Sequence, residues 1–165
     1  MRRLGRTGAV ELATATATAA EAEADVRAVV EVVRALSGAT TSADVVSTAL
    51  DAVRTQFGWV YGSYWRVEGK GPRAELRFVQ ESGTTSPEFQ AVTRAASFCE
   101  GTGLSGRAWK SRDLVFVQDI GDLTDCVRAP AAQRCGIRSG VCFPVVEGGV
   151  VTGTMDFFTD ATLHP

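Results

Sequence analysis

The chain has 165 residues, 45% of them apolar and 22% charged, enough for one domain with its own core and no disulfide staple. Its 17 basic and 19 acidic side chains leave a net charge of −2, a field too weak to mark nucleic acid or an anionic membrane as a general partner. A single histidine, His164, next to the last residue, argues against most hydrolase, zinc and haem chemistry, and no run of about 18 apolar residues could cross a bilayer.

Arg2, Arg3 and Arg6 open the chain, but Gly8-Ala9-Val10 is too short for the apolar stretch of a signal peptide and Glu11 interrupts it. Residues 1–14 read as a flexible lead-in and 15–165 as one domain. Residues 13–24, ATATATAAEAEA, are of low complexity and read as the frayed start of a helix. Val26, Val29, Val30, Val33 and Leu36 then fall on one helical face, and Gly38 ends that helix. Thr41 and Ser42 cap a second helix with Asp44 in its first turn. Its apolar face is Val45, Val46, Ala49, Leu50, Val53 and Phe57, and Gly58 closes it. The two make a helical hairpin over 20–57.

From Trp59 the period changes. WVYGSYWRV is aromatic and β-branched, and AELRFVQ, after a Gly69-Lys70-Gly71-Pro72 turn, is its hairpin partner. A loop at 82–87 leads into a short helix with Pro87 in its first turn and Phe89, Val92 and Ala96 on one face. A short strand at Phe98 and Cys99, a glycine-rich turn, a short helix near 107–111 and the strand LVFVQD follow. Residues 129–135 form another short helix, ended by Gly136. SGVCFPVV and VVTGTMDFF close the chain as a hairpin turned at Gly148-Gly149. About six strands without a long crossover helix predict an antiparallel sheet, an α+β fold with sheet and pocket over 59–160.

Residues 98–109, FCEGTGLSGRAW, contain G-x-G-x-x-G at Gly101, Gly103 and Gly106. The dinucleotide reading fails on spacing: too few residues separate Gly106 from the strand at Leu114 for a parallel crossover of about a dozen. The same residues resemble the acid-Gly-x-Gly-Leu-x-Gly-x-x-Trp turn of the GAF domain family. The resemblance covers residues 40–160 through Glu100, Gly101, Gly103, Leu104, Gly106, Trp109, Asp119, Ser139, Pro144, Gly153 and Phe157, taken in order. It is to bacterial GAF domains, among them actinobacterial and chemoreceptor-associated ones. It implies a pocket between one sheet face and the inserted helices, with the N-terminal helices on the other face.

Strand alternation by itself puts Tyr61, Ser63 and Trp65 on one face, and sets Cys142 and Pro144 against Val141 and Phe143. A face of aromatic, hydroxyl and thiol groups suits a cavity with a few polar anchors. The candidate ligand residues are Tyr61, Ser63, Trp65, Cys99, Leu104, Trp109, Asp119, Arg128, Cys142 and Asp156. Against this stand plainer readings: Trp65 and Trp109 as core, Cys142 as a small buried hydrophobe, Asp119 as a loop cap. Asp156, in a central strand, either lies at a solvated groove edge or faces inward and needs a partner, which is Arg107, Arg138 or a cation or donor of the ligand.

Cys99, Cys126, Cys135 and Cys142 form no C-x-x-C pair and read as reduced thiols of a cytoplasmic protein. Cys126 and Cys135, at loop and helix edges, are the more exposed, with Arg128 and Arg134 near enough in sequence to lower a thiol pKa.

These features predict a small-molecule-binding sensory domain of a bacterial signalling system and not an enzyme. Its ligand and cofactor stay unidentified, its output domain is fused or separate, and the face of Val26 to Leu36 offers a homodimer contact. A ligand-free interaction module is the alternative. A cysteine-dependent free methionine sulfoxide reductase would match Cys126 and Asp156, but Ser105 and Gly140 stand where that class has a cysteine and an acid. Bilin, haem, iron–sulfur and cyclic-nucleotide readings lack their ligands or motifs.

Overall fold

A computed structural model describes residues 20, 21, 23–25, 27 and 41–164. The predicted lead-in at 1–14 and the predicted helical face from Val26 to Leu36 lie outside the described residues.

The first full element is helix α1 (Ser42–Gln56). Thr41 caps it by accepting the Asp44 amide at 3.1 Å, as Ser/Thr caps do for the unpaired first-turn N–H groups. Gly58, at φ 70°, turns the chain out of the helix and toward the sheet. The strands are β1 (Tyr61–Glu68), β2 (Glu75–Gly83), β3 (Ser97–Cys99), β4 (Val115–Val117), β5 (Gly140–Glu147) and β6 (Val150–Phe158). All pair antiparallel in the order β3-β2-β1-β6-β5-β4, the predicted α+β sheet of six strands. Gly148 and Gly149 both take positive φ at the β5–β6 turn, the geometry a two-residue hairpin requires.

Three short helices are inserted between strands: α2 (Pro87–Ala95), α3 (Gly103–Ser111) and α4 (Ala129–Cys135). Because β3 and β4 are the two opposite edges, α3, which joins them, must cross the whole sheet. This crossing places α3 over the central strand β6, and among the described residues every strand pair is antiparallel, so none forms the parallel crossover that a dinucleotide motif serves.

The strand period divides the core. One face carries Tyr64, Met155, Phe157, Val141 and Phe143 against Leu50, Val46 and Val53 of α1. The other carries Tyr61, Trp65, Cys142 and Phe158 against Phe89, Leu104, Ala108, Ala131 and Ala132 of the inserted helices. A groove of about 1270 Å³ lies on the α1 face, lined by Ala49, Val53, Tyr64, Gln80, Phe143 and Met155.

Several boundaries differ from the sequence reading: β1 starts at Tyr61, and β4 keeps only Val115–Val117 of the LVFVQD run. β2 runs on through Ser82 to Gly83, where its backbone pairs with Gly62 and Tyr61 of β1 and the Ser82 hydroxyl ties this end to Asp51 and Arg54 of α1. α3 begins at Gly103, four residues early, because its low-propensity glycines hide a helix start that packing enforces.

Candidate functional site

Ser63, Trp65, Thr154, Asp156 and Cys142 share the inner sheet face, since Ser63 and Cys142 both stand opposite Asp156, and Trp65 opposite Thr154. α3 lays Ser105 over them, and Arg128, the residue before α4, reaches in from above. All six of these polar side chains and Trp65 are fully buried.

Asp156 is the hub. Its Oδ1 accepts the Ser63 hydroxyl. Its Oδ2 accepts the Trp65 indole N–H at 3.0 Å, the Ser105 hydroxyl at 2.7 Å and Arg128 Nη2 at 2.7 Å. Trp65 Nε1 also donates to Ser63 Oγ at 3.0 Å, and Arg128 Nη2 to Ser105 Oγ at 3.1 Å. The Arg128 guanidinium carbon lies 5.1, 4.9 and 4.8 Å from the ring centroids of Trp65, Phe98 and Phe158. Burial opposes the charge on Arg128, but Asp156 outweighs it and holds the guanidinium pKa above its ordinary value. Among the described residues, Arg128 Nε and Nη1 are buried without a hydrogen-bond partner. Burial, and then Asp156, push the Cys142 thiol well above its usual range, so it stays protonated.

A second network borders this buried cluster. The Tyr61 ring stacks on Phe158 and meets Phe89 of α2 edge-on, and its hydroxyl donates to Glu81 Oε2 at 2.7 Å. Glu81 also accepts from Gln90 and Arg94 of α2. Burial raises the Glu81 pKa, but the hydrogen bonds from Arg94 and Tyr61 outweigh it and hold it below the usual carboxylate value. A carboxyl with a depressed folded pKa stabilises the fold above its unfolded pKa of about 4.3, and that contribution is lost as pH falls through the folded value. Glu81→Gln should therefore flatten the fall of Tm with pH below about 4.3, which acid melting curves of the two chains would reveal. Equal slopes would sever Glu81 from the fold's acid stability.

The candidates divide. Ser63, Trp65, Arg128, Cys142 and Asp156 converge, with Tyr61 and Leu104 in the surrounding core. Cys99 does not join them: it is exposed at an edge, and its neighbour Phe98 points inward instead. Asp119 caps the turn Ile120–Asp122 by accepting the Gly121 amide at 2.8 Å and pairs with Arg138, apart from the cluster. Trp109 is half-buried and only borders the core. Asp156 is at no solvated edge, and its partner is Arg128, because Arg107 and Arg138 are engaged with Asp125 and Asp119. Cys126, expected to be exposed, is buried against Gly103. Ser105, Thr154, Phe98 and Phe158 join the cluster beyond the residues that the sequence points to. The first faces inward on a helix whose start the glycines conceal, Thr154 and Phe158 follow from the period of β6, and β3 is too short for its period to single out Phe98.

The glycines of the turn act sterically. Gly101 and Gly103 take φ of 86° and 63°, which side-chain-bearing residues avoid. A Cβ on Gly106 would run into the Cys99 carbonyl oxygen, so this glycine lets α3 rest on β3.

A family model described as the GAF domain matches residues 39–164. The fold is similar to the GAF domain of a phosphoenolpyruvate-protein phosphotransferase (ptsP) from Coxiella burnetii, with TM-score 0.67 at 11% identity over 84% of this chain and 79% of that one. It is similar to the A. aeolicus nlh2 GAF domain in an inactive state, TM-score 0.63 at 16% identity over 82% and 79%. It is also similar to the free methionine-R-sulfoxide reductase of Neisseria meningitidis, TM-score 0.61 at 18% identity over 79% and 70%. At these identities the likeness is one of fold. A comparison with curated proteins finds no match.

Proposed function

We propose, since this chain belongs to the GAF domain family, that it is a sensory or regulatory module of a bacterial signalling system whose small-molecule site is the inner-face chamber. One observation carries this reading: Arg128 is fully buried with two of its nitrogens unpartnered. An unmet buried donor costs roughly 1–3 kcal/mol, and more on a charged group, so a core kept only for stability has no use for it. A chamber that exchanges occupants does. A change of occupant would act on Arg128, the segment at 123–128 and α4, and through them on a partner protein or fused output domain.

The reading is of a cytoplasmic binding module without catalysis, as the thiols support. All four cysteines are free, Cys126 and Cys142 are buried, and the Cys142 thiol is pushed away from the thiolate that nucleophilic chemistry needs.

A thermal-shift screen of small polar compounds, sorted by charge, tests the reading on the whole chain. At least one class should raise Tm saturably, and Asp156→Asn should abolish the rise. Stabilisation that survives that substitution would move the site elsewhere, and a screen without any saturable hit would favour the ligand-free interaction module.

A further inference from the structure

We infer that Arg128 is the built-in occupant of an organic-cation site, and that a small external cation, an alkylammonium or a guanidinium, binds there by displacing it. The inference rests on the ligand-binding reading above and names the chemistry of that chamber.

The surroundings of the guanidinium are those of a cation receptor. The Trp65, Phe98 and Phe158 rings lie around it at 4.8 to 5.1 Å, and aromatic faces are the negative ends of their quadrupoles. Asp156 supplies a formal counter-charge at 2.7 Å. The Ser63 and Ser105 hydroxyls and the Trp65 indole all donate to that carboxylate, which fixes it in place whether or not Arg128 is present. Once Arg128 has withdrawn, an anion in its place would meet a carboxylate and three ring faces, so the vacated site selects against it. Three rings and one carboxylate form the arrangement that recognises quaternary and alkylated ammonium ions.

Arg128 fits this receptor imperfectly. Only Nη2 finds oxygen acceptors, and the hydrogens of Nε and Nη1 find none among the described residues. A tetraalkylammonium has no N–H to leave unmet and satisfies the same rings and carboxylate. The competition needs only the side chain of Arg128 to withdraw, because its backbone stays in place as the first residue before α4, its carbonyl accepting the Ala132 amide at 2.9 Å. Arg128 lies outside every strand, and the withdrawal breaks no sheet pairing. Asp125 holds the segment at 123–128 down through the Gly103 amide at 3.1 Å and Arg107 at 3.0 Å. A bound cation would thus be reported by release of this clasp. Tethering raises the effective concentration of Arg128, so an external cation binds the natural chain more weakly than a chain without the arginine.

The test titrates tetramethylammonium chloride and N-ethylguanidinium chloride into the wild-type chain and into Arg128→Ala. Sodium chloride at equal ionic strength and sodium acetate serve as controls. Arg128→Ala should bind both cations saturably, with Tm rising about 3–6 °C at ten times Kd. Wild type should bind at least tenfold more weakly, and Asp156→Asn in the Ala background should abolish binding. If Arg128→Ala is unfolded in sodium chloride, the cations should restore its native circular dichroism. In the wild type, the Arg128 Nε–H signal in a 15N–1H spectrum should shift or vanish as cation is added. No effect of either cation on the Ala chain, or stabilisation by acetate in their place, overturns the inference. The ligand-binding reading would still stand if the screen then found a neutral or anionic compound whose effect depends on Asp156.

Discussion

Asp156→Ala should lower stability by about 3–5 kcal/mol, because it leaves Arg128 as an uncompensated charge in a fully buried site. For a chain of this size that is a fall in Tm on the order of 10 °C. The loss includes three further donors that Asp156 accepts, on Ser63, Trp65 and Ser105, of which the Trp65 indole keeps Ser63 Oγ as a second acceptor. Arg128→Met should cost a similar amount for the opposite reason, by stranding the carboxylate. The double variant Arg128→Met/Asp156→Leu should regain most of what either loses, since a buried ion pair replaced by apolar side chains of similar volume is often neutral in stability. Urea denaturation of wild type, Arg128→Met, Asp156→Leu and the double variant measures the cycle. Single losses below about 1 kcal/mol would contradict a buried pair, since that is the scale of exposed ones.

Gly106→Ala should cost about 3 kcal/mol or more. The added carbon meets the Cys99 carbonyl oxygen, and backbone on both sides prevents a side chain from yielding. The same substitution at an ordinary mid-helix glycine would gain about 1 kcal/mol from helix propensity. The sign of the measured change therefore decides whether Gly106 serves packing. Because α3 carries Ser105 one residue earlier, a shifted helix would also loosen the Asp156 cluster. Near-UV circular dichroism of the buried Trp65 should weaken along with stability. A neutral or stabilising Gly106→Ala would show that α3 does not rest on β3 as described.

The inner face was legible in the sequence wherever a long strand fixed the period. Tyr61, Ser63 and Trp65 alternate in an eight-residue strand, and Asp156 was marked as needing a partner if it faced inward. The partner itself was not legible. Arg128 is 28 residues from Asp156 and reaches it from a loop, where no periodicity says which arginine turns inward. Arg107 and Arg138 had equal claims until Asp125 and Asp119 engaged them. Cys99 was misplaced for a related reason: β3 has only three residues, too few for alternation to choose between it and Phe98. The expected pocket is also not open space. Its centre is filled by Arg128, and filling by a side chain from another element leaves no trace in local sequence.

Native mass spectrometry of the gently purified whole chain would decide whether the chamber holds an occupant other than Arg128. A ligand-binding chain should show a non-covalent mass increment that vanishes on denaturation and is absent from Asp156→Asn. An increment that persists in Asp156→Asn would place the ligand outside the inner face. A bare mass that stays bare with every class of compound added would contradict the sensory reading and leave Arg128 as a permanent structural filling.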